Sequence, residues 1–186
     1  MVVWELRKKR EKFEAEALPH LDTVFRAALA LTGGGREAED LAQQTFLRAW
    51  EKFAGFTPGS NCKAWLLSIL RHLWIDEARH RKVIGPVLSL MDELSEAPRG
   101  EDPAVSGEIL ENFSDEQVIQ ALKMLPPEWR LILYLVDIAQ IDHAEAARIA
   151  EIPVGTVKSR ASRARNRLKE QLLAHARDFG FIKRKP

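Results

Sequence analysis

The sequence predicts an all-α fold, with two small helical domains joined by an acidic, flexible linker. Hardly any segment alternates apolar and polar residues as a half-buried strand does, and turn signals lie far apart. Long segments on both sides of the chain instead repeat apolar residues at helical spacing. The intervening segment is rich in acids, Pro and Gly, which disfavour regular structure. We therefore assign residues 1–85 to one domain, 86–116 to the linker and 117–186 to a second domain.

Charge is distributed unevenly along the chain. The totals of 28 basic and 27 acidic residues give a net charge of +1, which indicates no class of partner. Residues 86–118, however, contain nine acids and one base, whereas residues 158–186 contain ten bases and two acids. The basic segment suits a nucleic-acid partner, although a solvated charged surface would explain it equally well.

Several classes of protein are disfavoured by what the sequence lacks. Cys62 is the single cysteine, so an internal disulfide is excluded and a reducing compartment is favoured. The longest apolar run, residues 131–136, is too short to cross a bilayer, and the charged N-terminus does not resemble a signal peptide. These features predict a cytoplasmic protein without direct membrane insertion.

No residue pattern indicates catalysis, a cofactor or a metal. A nucleophile–base pair and a phosphate-binding Gly loop are both missing from the sequence. His72, Asp76 and His80 recur every fourth residue, but the two histidines would lie about 12 Å apart along a helix. They cannot share one ion with ordinary geometry. We therefore predict a protein that is not an enzyme.

In the first domain, a helix is predicted between the turn signals at 32–35 and 55–60. Its core stripe consists of Ala42, Phe46, Ala49, Trp50 and Phe53. The opposite side is polar except for one leucine, and comprises Asp40, Gln43, Gln44, Leu47, Arg48 and Glu51. Because Leu47 is large and apolar, it suggests a protein-contact surface, although single exposed leucines are common.

A second helix is predicted over residues 63–82. Its buried side is formed by Leu66, Ile69, Leu70, Leu73 and Trp74. Another side combines aromatic, imidazole and guanidinium groups, in Trp65, Ser68, His72, Ile75 and Arg79. Such groups can stack on unpaired bases and bind phosphates. An ordinary surface helix, anchored to its neighbour by the tryptophan, would show the same pattern.

The second domain carries a helix-turn-helix pattern. A buried helix begins at the Pro126–Pro127 pair, which is tolerated in a first helical turn. Asp142 is a suitable N-cap for the next helix, with Glu145 three residues later as in a capping box. After a short turn at 151–153, the last helix has small apolar residues inside and polar ones outside: Thr156, Ser159, Ser162, Arg163 and Asn166. This predicts a recognition helix for a major groove, with a basic helix of a bundle as the alternative.

Three segments together resemble a known family. They read DLAQQTFLRAWEKF at 40–53, WLLSILRHLWIDEARHRK at 65–82, and LPPEWRLILYLVDIAQIDHAEAARIAEIPVGTVKSRASRARNRLKEQL at 125–172. The chain is similar to extracytoplasmic-function (ECF, group IV) RNA polymerase sigma factors of the sigma-70 family. The resemblance covers residues 17–85 as sigma region 2 and residues 117–173 as sigma region 4.

The resemblance implies three sets of binding residues. The set for core RNA polymerase is Asp40, Leu41, Gln43, Gln44, Phe46, Leu47 and Trp50. The set for the minus-ten promoter element is Ser60, Asn61, Lys63, Trp65, Arg71, His72, Asp76 and Arg79. The set for the minus-thirty-five element is Val154, Gly155, Thr156, Lys158, Ser159, Arg160, Ser162 and Arg163.

The resemblance also implies partners: the clamp and flap of core polymerase, promoter DNA, and an anti-sigma factor that holds the protein inactive until a stress signal arrives. The segment at 12–29 is similar to members controlled by zinc-binding anti-sigma factors. Three other interpretations stay open at this point. They are a sigma-like decoy that binds only an anti-sigma factor, an ordinary helix-turn-helix repressor, and a nonspecific RNA-binding protein.

Some residues depart from the family's usual pattern. His72 stands where asparagine is usual, Gln44 where glutamate is usual, and Cys62 where an apolar residue is typical. Glu151 replaces the frequent glycine of the helix-turn-helix turn, and Ala139–Gln140 replaces a common Glu-Gly pair. These departures concern promoter sequence rather than the class of function.

Overall fold

The computed structural model describes residues 3–82 and 115–178, and within these ranges the regular elements are all helical. This confirms the predicted all-α fold. The linker predicted at 86–116 lies almost entirely outside the described residues.

Residues 3–82 of the first domain form four α-helices, with short 3-10 turns at Leu18–His20 and Phe53–Gly55. The α-helices are α1 (Val3–Ala17), α2 (Leu21–Thr32), α3 (Gly35–Lys52) and α4 (Cys62–Lys82). Helix α2 ends as predicted at Gly33, which has a φ of +74° and donates its N–H to the Leu29 carbonyl. Glycine suits this left-handed position because it has no Cβ.

Helix α1 contributes to the core of this domain, which the sequence pattern did not predict. Its Phe13 ring packs edge-on against Trp50 and Phe53, with ring centroids 5.3 Å and 5.1 Å away. Lys9 places its ammonium 4.3 Å from the Trp50 ring centroid. Most of α1 is otherwise polar and exposed, so its apolar periodicity is weak and its anchoring depends on these few contacts.

The second domain contains the predicted helix-turn-helix. Helices α5 (Asp115–Lys123) and α6 (Pro127–Leu133) come first, and α6 continues as a π-helical turn over Tyr134–Ile138. Helices α7 (His143–Ala150) and α8 (Val154–Asp178) follow, separated by the turn at 151–153. The inward side of α8 is buried as predicted, at Val157, Ala161, Ala164 and Leu168.

Asp142 caps α7 as predicted, but the capping box is only half formed. One Asp142 oxygen accepts the N–H groups of Ala144 and Glu145 at 2.9 Å and 3.0 Å, and these bonds lower the pKa of its carboxyl. The Glu145 side chain does not return to the cap, since its Oε2 accepts a hydrogen bond from Asn61 of the first domain. A tertiary contact has therefore replaced the local one.

The two domains pack directly against each other, α2 against α6 and α4 against α7. One continuous cluster of buried apolar side chains includes residues of both domains, among them Leu66, Leu70, Leu135 and Ile149. Tyr134 adds a polar contact, because its hydroxyl donates to the Thr23 carbonyl at 2.9 Å. The described part of the chain thus has a core that the sequence pattern assigned to two separate units.

Arg130 joins the same two domains from a buried position. Its Nε and Nη2 donate to the carbonyls of Ala30 and Leu31 at the end of α2, at 2.5 Å and 3.0 Å. Its Nη1 donates to the Lys123 and Leu125 carbonyls that precede α6. These carbonyls lie where helices end and lack helical partners, so the guanidinium supplies the missing donors.

Candidate polymerase and nucleic-acid interfaces

The outer side of α3 is the surface predicted for core polymerase. Leu47 is 65% exposed, and Asp40, Gln43 and Gln44 are exposed around it. The resemblance also assigns Leu41 to this surface, but the structure buries it at 2% exposure. Phe46 and Trp50 are half-buried and pack against the core. The accessible surface is therefore one large apolar side chain surrounded by polar ones.

The loop that precedes α4 is held by local hydrogen bonds. Gly59 takes a φ of +81°, and the Ser60 hydroxyl donates to the Thr57 carbonyl at 2.7 Å. Asn61 caps α4, since its Oδ1 accepts the Ala64 N–H at 3.1 Å. The cap fixes where the helix begins and thus orients Lys63 and the residues that follow.

Trp65 belongs to an aromatic cluster with Phe53 and Phe56. Its ring centroid lies 4.8 Å from that of Phe56, while Phe53 and Phe56 stack at 5.6 Å with an interplanar angle of 11°. Trp65 is half-buried, so much of its ring supports the loop from beneath. Both of the roles considered for this tryptophan, base stacking and helix anchoring, are compatible with its partial exposure.

The predicted minus-ten residues fall into two groups along α4. Asp76 and Arg79 are exposed and form only a loose ion pair with each other, at 3.7 Å. Arg71 and His72, in contrast, contact Glu151 of the second domain. The Arg71 Nη1 lies 2.9 Å from one Glu151 oxygen, and the His72 Nε2 lies 2.5 Å from the other.

The same side of the first domain makes two more contacts with the second. Asn61 Nδ2 donates to Glu145 Oε2 at 2.9 Å, and Lys63 Nζ donates to the Ala139 carbonyl at 3.3 Å. Four of the eight predicted minus-ten residues are thus engaged with α7 or the segments that flank it. Residues 3–82 and 115–178 contain no cluster of three metal-ligating side chains, and His72 binds a carboxylate instead.

Two departures from the family pattern have an unusual backbone. Gln140 and Glu151, which stand where glycines are frequent, have φ values of +53° and +51°. Side chains with a Cβ rarely adopt this conformation, and it costs about 1–2 kcal/mol per residue. The Gln140 amide offsets part of that cost by donating to the Asp137 carbonyl.

The outer side of α8 presents the predicted minus-thirty-five residues. Val154, Gly155 and Lys158 are exposed at or near its start. The start of a helix favours the binding of a phosphate. The rest of the set is half-buried and comprises Thr156, Ser159, Arg160, Ser162 and Arg163.

Arg163 is less open than its outward position on the helix predicts. Its guanidinium carbon lies 5.8 Å from the centroid of the Trp129 ring, and its Nε is buried without a hydrogen-bond partner. The neighbouring Arg165 points to the interior and forms a two-pronged ion pair with Asp137, at 2.7 Å and 3.0 Å. Sequence periodicity placed Arg163 on the outer side of α8, but it could not predict the contact with Trp129, because that residue belongs to another helix.

Known proteins match the chain on both sides of the linker. The model of Sigma-70 region 2 matches residues 18–83, and that of Sigma-70 region 4 matches residues 115–168. The ECF RNA polymerase sigma factor SigE of Mycolicibacterium smegmatis is 32% identical over 157 residues, which cover 84% of this chain and 60% of SigE. The ECF sigma factor EcfG of Rhodopseudomonas palustris is 36% identical over 156 residues, covering 82% and 81% of the two chains.

Solved structures show the same fold. The sigma factor RpoE of Bartonella quintana, in complex with the anti-sigma factor NepR, superposes with a TM-score of 0.68 at 32% identity, covering 87% of this chain and 97% of RpoE. CnrH in complex with the cytosolic domain of CnrY gives a TM-score of 0.60 at 22% identity, covering 89% and 90%. Both sigma regions and relatives above 30% identity match this sequence, so the chain belongs to the ECF group of the sigma-70 family of RNA polymerase sigma factors.

Proposed function

We propose that this chain binds core RNA polymerase and directs it to specific promoters as a non-enzymatic initiation factor. One observation carries the proposal: the exposed Leu47 surface and the basic helix-turn-helix occur together in one chain. A simple repressor has no need for the first feature, and a decoy has little need for the second. We place the protein in the cytoplasm, because the promoter DNA that it would bind lies there. In the described ranges no helix is both long and apolar enough to span a bilayer.

Each element of the proposed mechanism uses a different surface. The Leu47 side chain inserts into an apolar site on the polymerase clamp, and the polar residues around it align the two surfaces. Helix α8 enters the major groove of the minus-thirty-five duplex, where Lys158 neutralises phosphate charge. The loop before α4 and the exposed side of that helix bind the melted minus-ten strand through stacking and hydrogen bonds.

We place the binding site of the proposed anti-sigma factor between the two domains. A cavity of about 920 Å³ lies between α2 and helices α5, α6 and α8. Ile119 and Ile138 lie at this cavity and are 49% and 62% exposed, an unusual position for such large apolar side chains. An inhibitor segment with apolar side chains would cover both residues and hold the domains together. The similar sigma factor RpoE of Bartonella was solved in complex with an anti-sigma factor, which supports the existence of such an inhibitor.

Run-off transcription with purified core polymerase and a promoter library tests the proposal. We expect transcripts from a subset of promoters only when the chain is added, because promoter recognition resides in its two domains. A repressor would instead bind duplex DNA without starting transcription. A decoy would give neither transcripts nor specific DNA binding, and a nonspecific RNA-binding protein would show no preference among promoters.

Arg163→Ala should relax promoter specificity at one position of the minus-thirty-five element. Arginine discriminates a guanine from other bases by about 1–3 kcal/mol. When the side chain turns to DNA, its Nε gives up no hydrogen bond and the guanidinium gives up only its contact with the Trp129 ring. The measurement is holoenzyme affinity for duplexes with single base-pair changes. Arg167→Ala is the control, since Arg167 is exposed and paired with Glu170 at 3.6 Å. An unchanged specificity profile in Arg163→Ala would remove this residue from the reading surface.

Cys62→Ala should leave any redox response of transcription intact. The thiol is buried, and burial, together with the nearby Glu16, raises its pKa to about 11. The reactive thiolate is therefore scarce at neutral pH. The measurement is an oxidant titration of the transcription system reconstituted with the inhibitor. A response that disappears with this substitution would assign the sensor to this chain instead of the inhibitor.

A further inference from the structure

The contacts between the domains cover residues that the proposed function needs for DNA. Glu145 and Glu151 lie at the two ends of α7, and both carboxylates point to the first domain. Glu145 binds Asn61, and Glu151 binds Arg71 and His72. We call these three side-chain pairs the interdomain latch.

The latch places carboxylates where the proposed function requires a phosphate backbone. A carboxylate and a phosphate compete for the same guanidinium and imidazole groups, because both are anionic acceptors of hydrogen bonds. Arg71 is only 15% exposed at its side chain while it is paired with Glu151, so little of its surface is left for a second anion. Occupation of these groups by region 4 therefore excludes their occupation by DNA.

The backbone at Glu151 indicates that this side chain has a specific role. The residue holds a left-handed conformation that disfavours any residue with a Cβ, and its side chain forms an ion pair with Arg71 and a hydrogen bond with His72 of the other domain. The interaction with Arg71, and to a smaller extent that with His72, holds the pKa of the Glu151 carboxyl below its ordinary value. The side chain is therefore anionic at neutral pH. A glycine at this position would relieve the backbone but remove both contacts.

Two of the departures from the family pattern meet in this contact. His72 replaces a usual asparagine and Glu151 a frequent glycine, and the two side chains hydrogen-bond to each other across the domain interface. An asparagine–glycine pair could not form this contact, because glycine has no side chain. The latch is thus a property of this chain's own residues.

We propose that region 4 closes the minus-ten surface of region 2 in the free chain through the interdomain latch, so that the sigma factor is self-inhibited before any inhibitor binds. This inference rests on the proposed function. Binding of core polymerase then has to separate the domains. Only open molecules of the free chain can bind minus-ten DNA, so the apparent affinity is the intrinsic affinity multiplied by the open fraction.

The test compares the free full-length chain with a Glu145→Gln, Glu151→Gln double variant. We expect the variant to bind a single-stranded minus-ten oligonucleotide about tenfold or more tightly, because a weaker latch raises the fraction of open molecules. Solution scattering should show a larger radius of gyration for the variant. In complex with core polymerase, both proteins should bind the promoter with similar affinity, since the domains are then already separated.

Two further variants make the result specific. Glu170→Gln removes one such charge from an exposed position on α8, where Glu170 forms an ion pair with Arg167 of the same helix. It should leave oligonucleotide affinity and scattering unchanged. Glu151→Gly removes two of the three latch pairs while favouring the turn conformation, so an unstable turn cannot explain a gain in affinity.

Three outcomes would overturn the inference: equal affinities of wild type and double variant, an unchanged radius of gyration, or an equal gain in Glu170→Gln. The failure of the proposed function looks different. In that case wild-type protein with core polymerase would give no promoter-specific transcripts, whatever the free chain does with the oligonucleotide.

Discussion

Leu47→Asp is expected to weaken binding to core RNA polymerase by about 2 kcal/mol or more, which is a factor of roughly thirty. The side chain is 65% exposed and surrounded by polar residues, so it contributes little to the stability of the free protein. We expect it to become buried when it contacts an apolar surface of the polymerase. The substitution forces either a buried carboxylate or a gap in the interface. The fold itself should be unaffected, because the residue has no core contacts to lose.

The measurement is a competition assay in which wild type and variant displace a labelled sigma factor from core polymerase. Leu21→Asp is a matched control: Leu21 is 54% exposed in the same domain, and it lies on α2 rather than α3. We expect the control to bind like wild type. If Leu47→Asp also bound like wild type, the outer side of α3 would not be the docking surface.

Arg130→Met is expected to lower the free energy of unfolding by about 3 kcal/mol or more. The guanidinium donates to four backbone carbonyls, two of them in each domain. Methionine fills a similar space but donates no hydrogen bond, so several buried carbonyls lose their partners at about 1–3 kcal/mol each. Since these carbonyls belong to both domains, we also expect the domains to separate more readily.

Thermal or denaturant unfolding measures the effect, and solution scattering measures the separation. Arg48→Met is the control, because Arg48 is exposed and, among residues 3–82 and 115–178, its ion pair is with Glu51, one helical turn away at 2.9 Å. A surface change of this kind should stay within about 0.5 kcal/mol. Equal stability of the two variants would show that the buried hydrogen bonds of Arg130 are replaced by others when it is removed.

Sequence periodicity was sufficient for the helices that bury a regular stripe. The inner side of α8 and the N-cap at Asp142 are where the sequence predicted them, since both depend on residues close together along the chain. The exposure of Leu47 followed from the same argument. Helix α1 was not predicted, because aromatic contacts of a single residue, Phe13, do not produce a regular apolar pattern along its sequence.

Distant pairings could not be predicted, because no local rule connects residues about 80 or 100 positions apart. His72 and Glu151 were each recognised as unusual, but only the folded chain shows that they bind each other. Glu145 is likewise placed for a local capping box, but its side chain instead accepts a hydrogen bond from Asn61 of the other domain. The free energy of such a contact depends on both domains being in place, and this information is absent from any single segment.

The sequence by itself determined the all-α class, the family, the two regions and the outward sides of α3 and α8, because helical spacing and family motifs are local properties. Only the tertiary structure decided that the regions share one core, that Arg130 and Tyr134 connect them, and that region 4 contacts residues proposed to bind the minus-ten element. The physical reason is that apolar stripes and exposed charges specify what a helix can bury or bind, whereas the choice of partner is made by the packing of the whole chain.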